Sequence, residues 1–65
     1  MTETERKKIT YQISLVLRVK PSSIYIERIE TVSDKENKIF ITCKGVPYGA
    51  LMCGDLVLYT WRVVS

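Results

Sequence analysis

The sequence predicts an α+β domain, one N-terminal helix packed on a four-stranded antiparallel sheet. Three observations carry the prediction. A helix-start signature at Thr2-Glu3-Thr4-Glu5 precedes an apolar stretch that ends just before Pro21. Two runs rich in β-branched and aromatic residues, 24–32 and 38–44, flank a polar loop. Two further runs, 48–53 and 56–64, are separated by Gly54-Asp55, a pair suited to a tight hairpin turn.

The helix is read over residues 2–19. Thr2 and Glu5 form a T-x-x-E capping box, and Glu3 and Glu5 place negative charge where the helix dipole favours it. Glu3 and Lys7 stand at the favourable i,i+4 spacing. At 100° per residue, Ile9, Ile13, Val16, Leu17 and Val19 share one arc, with Lys7, Thr10, Ser14 and Arg18 opposite. Residues 8–19 also alternate as a strand would, with Val16 the one interruption. In that alternative the chain is an all-β, five-stranded barrel of the SH3-like or OB-like kind. A strand of about 12 residues is long against the usual 5–6, and the cap, the early acids and the Pro stop favour helix.

Pro21-Ser22-Ser23 breaks the chain before the first strand. Alternation in 24–32 sets Ile24 and Ile26 on one face and Tyr25 and Ile29 on the other. Residues 33–37 form the polar hairpin loop. The returning strand, 38–44, sets Ile39, Ile41 and Cys43 against Phe40 and Thr42. Gly45-Val46-Pro47 reads as a turn, 48–53 as a third strand and 56–64 as a fourth. That last strand carries Leu56 and Leu58 on one side and Val57, Tyr59, Trp61 and Val63 on the other.

A chain of 65 residues holds one small domain, 1–65, with residues 1–7 as a start free to fray. Domains of this size bury only about 60% of the surface their unfolded chains expose, so the core is thin. The 46% apolar content separates it from disordered chains, and the net charge of +3 permits an acidic partner without requiring one. No uncharged run approaches the roughly 20 residues of a membrane span. No secretory leader pattern is visible, so a cytoplasmic protein without membrane association is expected. Cys43 and Cys53 then read as reduced thiols packed like small hydrophobes.

What is missing narrows the chemistry. The chain has no histidine, the commonest general acid–base residue. Its cysteines lack C-x-x-C spacing, and its glycines form no phosphate-cradling motif. Glu27, Glu30, Asp34 and Glu36 fall on a hairpin and its loop, where carboxylates solvate a turn. The expectation is a non-catalytic protein with no metal and no cofactor.

What is left over is apolar sheet surface. One helix covers one sheet face, yet Tyr25, Phe40, Tyr59 and Trp61 crowd the other. Such patches mark interfaces, and aromatic residues are their usual anchors. The expectation is a small binding or regulatory adaptor that contacts protein through these four residues, either another protein or itself as a homodimer. Lys38 and Lys44 share the face of Phe40 by alternation, and Arg62 lies on a neighbouring strand. With these cations the rings form an alternative platform for single-stranded nucleic acid. Glu27 and Glu30 interrupt the basic surface and favour protein contact.

Overall fold

A computed structural model describes residues 2–64. Helix α1 spans Glu3–Leu17, and a 3₁₀ turn follows at Pro21–Ser23. Four strands complete the chain: β1 (Ile24–Thr31), β2 (Glu36–Cys43), β3 (Val46–Cys53) and β4 (Leu56–Arg62). They form one antiparallel meander in the order β1-β2-β3-β4, with α1 packed on one side. The α+β reading holds. The barrel alternative fails because residues 8–17 are helical, and β1 and β4 stay apart as the two edges of an open sheet.

Helix α1 starts where the capping signature places it. The Thr2 hydroxyl accepts a 3.1 Å hydrogen bond from the Glu5 amide, satisfying one of the unpaired N-terminal donors. The far end is closed by Arg18 rather than by Pro21. Arg18 adopts the left-handed region at φ 58, and its amide donates to the Ser14 carbonyl. A non-glycine residue there crowds its Cβ against the backbone. Arg18→Gly is therefore expected to raise stability by about 0.5–1 kcal/mol, after allowance for glycine's greater unfolded-state freedom. A urea titration reads the effect. A lowered midpoint would mean that the Arg18 side chain contributes more than its backbone costs.

The buried side of α1 is rotated from the expected arc. Ile13, at 0% exposure, is the anchor, and Ile9 and Leu17 flank it at i−4 and i+4. Ser14 is buried, whereas Val16 is 47% exposed. Ser14 tolerates burial because its hydroxyl donates to the Tyr11 carbonyl at 2.6 Å, so no bare polar group meets the sheet. Val19 lies beyond the helix end.

From the sheet, Ile26, Ile39, Ile41, Ala50 and Met52 meet Ile13 in the core. Cys43 is buried on that same side of β2. A β-bulge in each edge strand then overturns the expected orientations of three residues. Ile26 pairs with Ile41 and Arg28 with Phe40, so Glu27 is the extra residue of β1. The phase shift returns Ile29 to the helix side, where it packs on the core. In β4, Tyr59 pairs with Leu51 and Val57 with Met52, making Leu58 the extra residue. Val57 joins the core, and Leu56 moves to the open face.

The turns follow backbone chemistry. Lys44 (φ 52) and Gly45 (φ 80) both hold positive φ, as a two-residue type I′ hairpin requires. The expected turn at Gly45-Val46-Pro47 thus starts one residue too late and runs two too far, and Val46 and Pro47 belong to β3. Proline is accepted there because it sits at the start of the strand. Between β1 and β2, the Ser33 hydroxyl accepts from the amides of Lys35 (3.4 Å) and Glu36 (3.2 Å) and tightens the loop. Glu36 and Asn37, expected in that loop, are the first residues of β2.

Candidate functional site: the open face of the sheet

The sheet face away from α1 follows from the register. On β2 the residues alternating with buried Ile39 and Ile41 are Glu36, Lys38, Phe40 and Thr42. Their partners on β3 are Cys53, Leu51, Gly49 and Pro47. Beyond these on β4 stand Leu56, Tyr59 and Trp61. Val63 follows, its amide donating to the Pro47 carbonyl at 3.0 Å. On β1 the same rows bring Tyr25, Arg28 and Glu30. Glu27 joins them through the bulge and accepts a 2.9 Å hydrogen bond from the Thr42 hydroxyl.

The rows give this surface its character. One runs Arg28–Phe40–Gly49–Trp61 across all four strands, and the next runs Glu30–Lys38–Leu51–Tyr59. The Arg28 guanidinium carbon lies 4.3 Å from the centre of the Phe40 ring, a cation–π contact. Its Nε also donates to Glu30 Oε2 at 2.9 Å. Phe40 and Trp61 meet edge-to-face, with centroids 6.3 Å apart and planes at 88°. Tyr59 joins Trp61 at 5.7 Å and 46°. Such pairings add about 0.5–1.5 kcal/mol beyond burial, so the cluster is assembled before any partner arrives.

Gly49 makes the cluster possible. A methyl group built at its Cβ position would overlap Cε2 and Cζ2 of Trp61 and come within 2.8 Å of Nε1. The indole therefore lies across the bare backbone of β3 at Gly49. Glycine in a strand interior marks this kind of close approach. It carries the second sequence signal for the site, which alternation alone does not reveal.

Charge divides the face in two. The β1–β2 half carries Glu27, Arg28, Glu30, Glu36 and Lys38. The β3–β4 half consists of Pro47, Gly49, Leu51, Cys53, Leu56, Tyr59, Trp61 and Val63, with no charged residue among them. Leu56 is 64% exposed and Tyr59 57%. Tyr25, at the β1 margin, is 64% exposed.

Of the residues expected to bind, the register thus brings Tyr25, Phe40, Tyr59, Trp61 and Lys38 to one face. Lys44 stands in the β2–β3 turn at the end of the sheet. Arg62 pairs with Tyr48, whose side chain packs on the core, so it belongs to the helix side. Leu51, Leu56, Pro47 and Gly49 were not expected here. The bulge in β4 hid Leu56, and the early start of β3 hid Pro47.

The remaining features hold no competing constellation. An open groove of about 570 Å³ between α1 and the start of β1 has Glu3, Arg6, Lys7, Thr10, Pro21 and Ile24 among its lining residues. Cys43 and Cys53 are both free thiols, on opposite faces of the sheet. Among the described residues, no three metal-capable side chains cluster. No helix among them is long and apolar enough to cross a membrane. Comparison with family models, with curated proteins and with solved structures finds no match.

Proposed function

We propose that this protein is a non-catalytic binding or regulatory adaptor that docks protein on the open face of its sheet. The observation that carries the reading is the uncharged β3–β4 half, eight adjoining positions without a single Asp, Glu, Lys or Arg. A face built for water would alternate polar residues there. Interface centres have the opposite composition, poor in charge and rich in aromatic rings. Trp61, Tyr59, Phe40 and Tyr25 are the anchors, and the charged β1–β2 half forms the rim.

A second reading, stacking of single-stranded nucleic acid, draws support from Arg28 on Phe40 and from the indole lying across β3. Charge weighs against it. The face holds three acids (Glu27, Glu30, Glu36) against two bases (Arg28, Lys38), although the whole chain carries +3. A strand of phosphates needs a basic track.

A photo-crosslinking amino acid at Tyr59, expressed in the organism of origin, separates the readings. A protein adduct is the expected product. An adduct to nucleic acid moves the assignment to the second reading, and no adduct at all removes both. The substitution leaves the fold intact because Tyr59 is more than half exposed.

A further inference from the structure

We infer that the occupant of the open face is a second copy of this chain, packed sheet on sheet about a two-fold axis that lies between the faces and crosses the strands. The inference rests on the protein-docking reading above and names its partner.

The edges of the sheet argue for the face. Unpaired edge strands are the other common route to self-association, and bulges are a standard device that blunts them. Here both edges carry one, at Glu27 in β1 and at Leu58 in β4. Each interrupts the row of backbone groups that a second strand would need.

The area is of the right order. The molecule measures 30 × 26 × 17 Å, and complete coverage of its broad side comes close to the roughly 800 Å² that each partner contributes to a standard interface. A two-fold contact uses one patch twice, so no second complementary surface is required.

The charge pattern selects the axis. An axis running along the strands would lay the charged β1–β2 half over the uncharged β3–β4 half, stripping water from unpaired ions. An axis across the strands instead returns each strand over its own copy. Apolar half then meets apolar half, and rim meets rim. Placed between the Phe40 and Lys38 rows, this axis exchanges the two rows. Arg28 faces Glu30 of the second copy, and Trp61 faces Tyr59 of the second copy. The exposed Arg28–Glu30 pair of each chain becomes half of a four-charge network. Aligned sandwiches pack their sheets about 10 Å apart and within about 30° of parallel, which keeps these central rows in reach.

Sedimentation velocity across a concentration series tests the arrangement. The wild-type chain is expected to be dimeric at about 10 µM, within the affinity range of standard interfaces. Arg28→Glu and Glu30→Arg each set like charges opposite one another and should weaken the dimer by at least about tenfold. The double swap Arg28→Glu/Glu30→Arg should restore it. Both side chains are substantially exposed, so circular dichroism should show an unchanged fold. A wild-type chain that stays monomeric near 1 mM overturns the inference on this affinity scale. So do single variants that dimerise like wild type, or a double swap that fails to recover. A monomer that crosslinks at position 59 to a different protein overturns the dimer alone, whereas a monomer with no crosslink overturns the docking reading too.

Discussion

Ile39→Ala is expected to cost about 2–5 kcal/mol, near the upper end of that range. Ile39 is 1% exposed in β2, an inner strand, with Ile29 opposite it on β1 and Ala50 opposite it on β3. Removing three carbons there leaves a hole that collapse cannot readily fill. β2 is held by ladders on both sides, and Ala50 carries only a methyl group, which cannot swing inward. Domains of this length are stable by about 3–10 kcal/mol in total, so the loss is a large share of the whole. The thermal midpoint should fall by about 8–40 °C, since each kcal/mol moves a small domain by about 4–8 °C. A fall of less than about 5 °C would mean that α1 settles into the vacated space, and that Ile13 clamps the sheet less firmly than its complete burial implies.

Ile39 and Ile13 are both legible in the sequence, Ile39 at the centre of a clean period of 2 in β2 and Ile13 because it points inward whether residues 8–19 are read as helix or as strand. The misreadings lie where one residue breaks a period. Glu27 and Leu58 are ordinary strand residues by type, and nothing in their chemistry announces a bulge. Each nevertheless flips its neighbours, so Ile29 and Val57 went to the core and Leu56 to the open face. Lys44 was hidden for a related reason. It takes a positive φ at which asparagine or glycine is the usual signal, so the sequence points to a turn at the more conspicuous Gly45-Val46-Pro47 instead. Ser14 turned the helix face because its hydroxyl is satisfied within the helix, which polarity scales do not anticipate. The open-face placement of the rings survives these errors because Phe40 lies in the one strand pairing without a register break, and Trp61 and Tyr59 lie beyond the β4 bulge. Arg62 did not survive, since the residue after Trp61 necessarily points to the other side.

Gly49→Val carries the sharpest consequence for the open face, because two principles give opposite signs. Valine is a far better strand former than glycine, and in an unencumbered inner strand the exchange gains up to about 1 kcal/mol. At Gly49 the new Cβ falls 2.3 Å from Cε2 and Cζ2 of Trp61, and the branched methyls extend the clash. Overpacking of this sort costs about 1–3 kcal/mol, so a net loss of stability is expected. The indole must leave β3, and the edge-to-face contact with Phe40 goes with it. The chain has a single tryptophan, so its fluorescence reports the event directly, as a red-shifted emission in the folded variant. Coupling supplies the control. In a Trp61→Ala background the obstruction is absent, and Gly49→Val should become neutral or stabilising, a non-additivity of the size found for residues in contact. Equal effects in both backgrounds would separate Gly49 from Trp61 and leave the aromatic cluster without its seat.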